Sequence, residues 1–185
     1  MQTIGRIRGG IPAGDYDALL SRLYCRTGEE LTPYRQRILH LLEGYQKVFD
    51  QGETAAVAVF SAPGRTEIGG NHTDHQHGQV LCASINDDAI AIAAKNDSGI
   101  VNIKSEGYDM ITISLDDISK KDSEEGTTLA LIKGVIAAAK NRGYTIGSFD
   151  AYITSDVLGG SGLSSSAAFE TVIGNILSAL YICHH

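Results

Sequence analysis

The chain has 185 residues, 43% of them apolar, enough to bury a core as a single domain. Its formal net charge of -7 and pI near 5.3 argue against a general nucleic-acid or membrane-surface partner, whose phosphates an acidic surface repels. Cys25, Cys82 and Cys183 stand far apart in no metal-type spacing, and no leader or membrane span is evident, so a cytoplasmic protein with reduced thiols is expected.

Taken in order, Ala13 to Cys25 reads as a short helix, with Asp15 as N-cap ahead of Leu19, Leu20 and Leu23, and with Gly28 breaking it. A second helix is expected to begin with Thr32 as N-cap and Pro33 at its first position, where the missing N–H costs nothing. Its Ile38, Leu39, Leu41, Leu42, Tyr45, Val48 and Phe49 form one broad apolar face, which predicts packing against a sheet. Residues 1–50 are therefore read as a helical preface without chemistry of its own, and residues 51–185 as the domain proper.

Ala55 to Ser61 is a strand candidate, stopped at Ala62-Pro63-Gly64 by an expected turn. The stretch after it, Arg65 to Gly78, crowds charged, amide and imidazole side chains between two apolar segments, which is costly unless a ligand meets them. His72, Asp74, His75 and His77 could be metal ligands, but their spacing in an irregular loop scatters them, and no second cluster completes a site. A solvated loop is the plain alternative. The preferred reading is a sugar-binding loop, whose carboxylate and amide oxygens accept from hydroxyls while Arg65 offers a fixed cationic fork.

Gln79 to Ser84 and Ala89 to Lys95 read as two strands joined through Asn86-Asp87-Asp88, with Asn96 to Gly99 as a hairpin turn into Ile100 to Lys104. Met110 to Leu115 alternates as another strand. Asp116 to Thr127 is polar, after which Thr127 or Thr128 caps a helix that Gly143 ends. Phe149 to Thr154 is the last strand.

The segment Gly159-Gly160-Ser161-Gly162-Leu163-Ser164-Ser165-Ser166-Ala167-Ala168 combines glycines, which free the backbone to turn its N–H groups onto an anion, with hydroxyl donors. Apolar residues then recur at helical spacing to Leu180, so the loop opens onto a helix N-terminus whose dipole favours the same anion. No lysine follows the last glycine, which excludes a Walker loop, and the dinucleotide fingerprint is absent too. A flexible Gly/Ser turn is the bland alternative.

Gly160 to Ala168 resembles the ATP-phosphate loop of the GHMP small-molecule kinases. Pro63-Gly64-Arg65-Thr66-Glu67-Ile68-Gly69-Gly70-Asn71-His72-Thr73-Asp74-His75 is similar, without a gap, to the galactokinase signature of that superfamily, with Pro63, Gly64, Arg65, Gly70, His72, Thr73 and Asp74 matching. The resemblance implies an α+β fold: a GHMP-kinase N-terminal domain, like the second domain of ribosomal protein S5, with a mixed sheet and packed helices. It also implies ATP-dependent phosphorylation of a monosaccharide, galactose first, at its anomeric hydroxyl. Arg65 would be catalytic. Asn71, His72, Thr73 and Asp74 would bind the sugar. Gly160, Ser161, Gly162, Leu163, Ser164, Ser165 and Ser166 would bind ATP, and Ser166 would reach Mg2+; Ser105, where some family members have a Ser near the nucleotide, would join them, a plain surface hydroxyl being its alternative.

The chain departs from the signature at Glu67, Asn71 and His75, and Leu158 stands where the family has Pro. Because Asn71 replaces a sugar-contacting Glu and loses charge assistance, an N-acetylgalactosamine or other monosaccharide kinase stays open beside galactose. A non-catalytic sugar sensor stays open as well. The family continues beyond the phosphate-loop helix into a second domain holding the catalytic Asp, so the 185 residues alone are expected to turn over little or nothing, and a dimer through apolar surface on the Ala167 to Leu180 helix stays open.

Overall fold

The computed structural model describes residues 1–70, 77–160 and 162–182. Six strands form one mixed sheet in the order β1-β2-β3-β6-β4-β5. They are β1 (Gln2–Thr3), β2 (Ala56–Gly69), β3 (Leu81–Lys95), β4 (Ile100–Ser105), β5 (Met110–Ser114) and β6 (Phe149–Ser155). β4 and β6 run parallel, and every other neighbouring pair is antiparallel.

Helices cover both faces. On one face lie α1 (Ile4–Ala13) and α3 (Thr32–Phe49), whose Ile4, Ile7, Ile11, Leu41, Leu42 and Tyr45 pack on Val57, Ile90, Ile92 and Tyr152. On the other lie α4 (Thr128–Asn141) and α5 (Ser165–Leu177), where Ile132, Ile136, Val172, Ile173 and Ile176 meet Ala89, Ala91, Ala93, Ala151 and Ile153. The alternation along β3 explains this: Ala89, Ala91 and Ala93 point to one side, Ile90 and Ile92 to the other. Three small residues let α5 approach closely, so it lies over β2 and β3.

The N-terminal helices differ from expectation. The helix expected over Ala13 to Cys25 is the shorter α2 (Asp17–Tyr24), and α1, which was not expected, precedes it and ends at Gly14 with φ 81°. Asp15 is not the N-cap of α2; Tyr16 is, without a side-chain cap bond. Gly5, Gly9, Gly10 and Pro12 make α1 a poor helix by propensity, and burial of Ile4, Ile7 and Ile11 overrides that. Thr32 does not cap α3 either: Leu31 holds that position at the end of a 3-10 turn, Gly28–Leu31, whose own start is closed by a Thr27–Glu30 capping box.

Three expectations about strands are corrected. β2 does not stop at Pro63-Gly64 but runs on to Gly69. Gln79 to Ser84 and Ala89 to Lys95 are one strand, β3, in which Ile85, Asn86 and Asp87 bulge out, because Pro63 is opposite Asp88 while Arg65 is opposite Ser84. Asn96 to Gly99 is not a hairpin turn between paired strands, since β6 inserts between β3 and β4. Local turn chemistry is the same in each case, and only the partner strand distinguishes them.

Thr127 caps α4, its hydroxyl accepting from the Ala130 N–H at 3.2 Å. Thr127→Ala is expected to cost about 1 kcal/mol, read as a lowered urea midpoint with unchanged slope. Ser165–Ile182 is long and apolar enough by composition to span a bilayer, with mean hydropathy 1.2 over 18 residues, which the sequence reading did not register. Its Ala168, Val172, Ile173, Ile176, Leu177 and Leu180 are buried in the domain core, as in a core helix of a globular fold. The apolar surface anticipated on this helix therefore faces inward, and large exposed apolar side chains lie elsewhere, at Leu19, Leu23, Ile68, Leu81 and Leu158 among others.

Candidate active site

The bulge between Pro63 and Arg65 brings the two motifs together. Gly64 is buried there, and a Cβ added to it would stand 3.0 Å from the Leu163 carbonyl oxygen and 3.1 Å from Val157 Cγ1. Only glycine permits that approach without displacing the second loop. The next residue, Arg65, donates its backbone N–H to the Leu163 carbonyl at 3.0 Å. The strand of the Arg motif and the Gly/Ser loop thus touch main chain to main chain, and the Arg65 side chain stays exposed beside them.

Farther along, β2 and β3 close as a hairpin, with Gly69 opposite Leu81. Gly70 has φ +119°, and a Cβ on it would lie 2.6 Å from both Gln79 O and Val80 Cα. These are backbone atoms, so the base of the connection is pinched at a position where no side chain fits. The predicted sugar contacts Asn71, His72, Thr73 and Asp74 lie outside the described residues, as does Ser161.

The Gly/Ser loop leaves β6 after Ser155 and is anchored by Val157, which is buried in the core. Gly160 and Gly162 take φ +76° and +78°, and a Cβ added at Gly159, Gly160 or Gly162 would meet no atom within 4 Å. The space in front of this backbone is open, as an anion cradle requires. Ser164, at φ +61°, is the N-cap of α5 and gives it no side-chain cap. A non-glycine residue held left-handed at a helix start is strain of the kind that clusters at ligand sites.

Leu163, Ser164 and Ser165 are half-buried, Ser166 is exposed in the first turn, and the positive end of the α5 dipole points out over them. Ser105, half-buried, ends β4 and pairs with Ile153 of the parallel strand β6. It therefore sits at the same end of the sheet from which the Gly/Ser loop emerges.

Behind the bulge is a polar network that the sequence reading missed. Asp88 is buried, and its carboxylate accepts from the Tyr24 hydroxyl at 2.7 Å and from the Ser61 hydroxyl. Arg37 Nη1 pairs with Asp88 Oδ1 and, at 2.9 Å, with Asp156 Oδ2, while Nη2 donates to the Asp88 carbonyl at 2.7 Å. The Asp156 N–H donates to that same carbonyl at 3.0 Å. Burial, followed by the Asp88 charge, pushes the Tyr24 hydroxyl well above the ordinary tyrosine range, so it remains a donor. A carboxylate next to the apolar run Ala89 to Ala94 was the available signal. In the sequence it stands in the link expected between two strands.

Comparison with known proteins bears on what this arrangement serves. Residues 43–95 match a family signature described as the galactokinase galactose-binding signature. A curated galactokinase of Lactococcus lactis subsp. cremoris is 35% identical over 145 residues, 76% of this chain and 35% of that protein. One of Pyrococcus furiosus is 38% identical over 121 residues, 65% of this chain and 33% of that protein. The chain spans about a third of the length of the curated relatives it matches. Among solved structures, Lactococcus lactis galactokinase complexed with galactose superposes with TM-score 0.70 at 35% identity, covering 77% of this chain and 37% of that one. Methanococcus jannaschii mevalonate kinase, at 12% identity and TM-score 0.58, shares the fold.

Proposed function

From the premise that this chain is a relative of the galactokinases, carrying their galactose-binding signature and matching about a third of their length, we propose that it supplies the sugar loop and the ATP-phosphate loop of a galactose kinase. The observation that carries the reading is the Arg65 N–H···O=C Leu163 bond, which joins the two motifs at one place. Transfer of the terminal phosphoryl of ATP to the anomeric hydroxyl of galactose needs both substrates side by side, and these loops adjoin as that demands.

In this reading the backbone around Gly160, Gly162 and Leu163, with Ser161, Ser164 and Ser165, holds the triphosphate against the α5 N-terminus, and Ser105 lies by the nucleotide. ATP supplies the phosphoryl group, and Mg2+ offsets its charge. The exposed Ser166 hydroxyl is a hard oxygen donor suited to that ion. Arg65 faces the charge that develops on the transferred group. Asn71, His72, Thr73 and Asp74 hold the sugar hydroxyls. The reaction belongs to the protein in which this domain is joined to the rest of the family's length, in the cytoplasm.

The test is calorimetric titration of the chain with galactose, N-acetylgalactosamine and glucose, with and without an ATP analogue. Galactose binding strengthened by the nucleotide supports the reading. Tighter binding of N-acetylgalactosamine would assign the site to that sugar, in keeping with Asn71 in place of Glu. Absence of binding by any of the sugars and by the nucleotide overturns it.

A further inference from the structure

The Gly/Ser loop is fastened at two points. Its far end is held by the Arg65 N–H on the Leu163 carbonyl, within the motifs already described. Its near end is held at Asp156, the first residue after β6, by groups that no motif contains. The Asp156 N–H and the Arg37 guanidinium share the Asp88 carbonyl as acceptor, and the guanidinium then grips the Asp156 carboxylate.

Arg37 lies on α3, in the N-terminal region read from sequence as packing alone. Its side chain is 14% exposed and that of Asp88 is 3% exposed, so the anchor is set in the protein interior. The Asp156 carboxylate it holds is more than half exposed. A fixed cation reaches out of the core to hold an exposed partner, and the three contacts of one planar fork define both its direction and its reach. Asp88 is in turn opposite Pro63, beside the bulge that sets Gly64 and Arg65 against the loop. The same residue, Asp88, therefore lies beside both fastenings.

We propose that Arg37, acting through Asp156, is a positioning residue for the nucleotide loop: it sets where the loop leaves the sheet relative to Arg65. The inference rests on the kinase reading for the identity of the ligand, but not for the bridge itself. Arg37 is not a residue to delete in a test, because its loss leaves Asp88 charged and unpaired in the interior and damages the fold whatever the loop does. Asp156 is the informative position.

Asp156→Asn removes the charge at an exposed side chain, and Asp156→Glu keeps it. For an ion pair of this exposure the expected effect is a three- to tenfold change in local opening. Hydrogen exchange of the amides of residues 157–160 is expected to run that much faster in Asp156→Asn than in the wild type, with the melting temperature and the exchange of α5 unchanged. Asp156→Glu should restore it. Affinity for a methylanthraniloyl-labelled ATP should fall by a similar factor in Asp156→Asn alone.

Unchanged exchange in Asp156→Asn, or a loss of protection spread evenly over the chain, would overturn the bridge as a positioning device. Faster exchange with unaltered nucleotide affinity would overturn its role toward the ligand. A wild-type chain that does not bind the labelled nucleotide sinks the kinase reading, while the exchange measurement still decides the bridge.

Discussion

Arg65→Ala is expected to lower the rate of galactose phosphorylation about a thousandfold, with little change in the dissociation constant for galactose. The guanidinium is exposed at the junction of the two loops, where it can meet charge that exists only as the phosphoryl group moves. A contact made in the transition state and not in the ground state shows up in kcat and leaves binding alone. The geometry makes the substitution a clean one. What ties Arg65 to the Gly/Ser loop is its backbone N–H on the Leu163 carbonyl, and alanine retains that bond. Loop position should therefore survive while the charge is lost. Arg65→Lys should recover only part of the rate, because an ammonium lacks the planar fork. The measurement is a coupled ADP-release assay on the gene product that carries these residues, beside calorimetry with galactose. A rate within a few fold of the wild type would remove Arg65 from the chemistry.

Gly70→Ala is expected to be the most damaging single-methyl change on the substrate side. At φ +119° an L-residue is strained before any contact is counted, at about 1–3 kcal/mol. The new methyl would then stand 2.6 Å from Gln79 O and Val80 Cα, and neither atom can move without shifting the strand that follows. The β2–β3 hairpin must open at its base, and the register at Gly69 and Leu81 opens with it. We expect a loss of about 3 kcal/mol, a melting temperature lower by roughly 6–12 °C for a domain of this size, and loss of galactose binding even in the folded fraction. Gly69→Ala is the control, since a Cβ there meets nothing within 4 Å. If the two variants melt alike and bind galactose alike, the pinched base has no bearing on the site.

How far the site could be read in advance differs from one residue to the next. That the Gly/Ser loop opens onto a helix was legible because glycine and helix-start chemistry are local, and α5 does begin at Ser165 behind left-handed Ser164. The density of polar side chains after Gly64 likewise pointed to a candidate ligand loop without any knowledge of the fold, and its predicted sugar contacts lie outside the described residues. The Arg37–Asp88–Asp156 network was not legible. Its members are far apart in sequence, Arg37 sits in a helix that reads as packing, and Asp88 follows an Asn-Asp pair that looks like a turn. Pairing explains the misreading: three residues bulge from β3 opposite a single one in β2, which puts turn-like residues inside a strand.

The amino-acid sequence by itself determined the element types in the C-terminal half, the two loops to examine for ligands and, through their resemblance to a known signature, the chemistry to look for. Each of these depends on contacts within a few residues, or on the side chains alone. Only the tertiary structure decided that Gly64 and Leu163 meet, that β6 lies between β3 and β4, and that α1 forms despite three glycines and a proline. The reason is that a backbone hydrogen bond or a buried methylene has no preferred partner until the sheet order supplies one. Burial on both faces of β3 then outweighs the weaker local preferences of the segments packed against it.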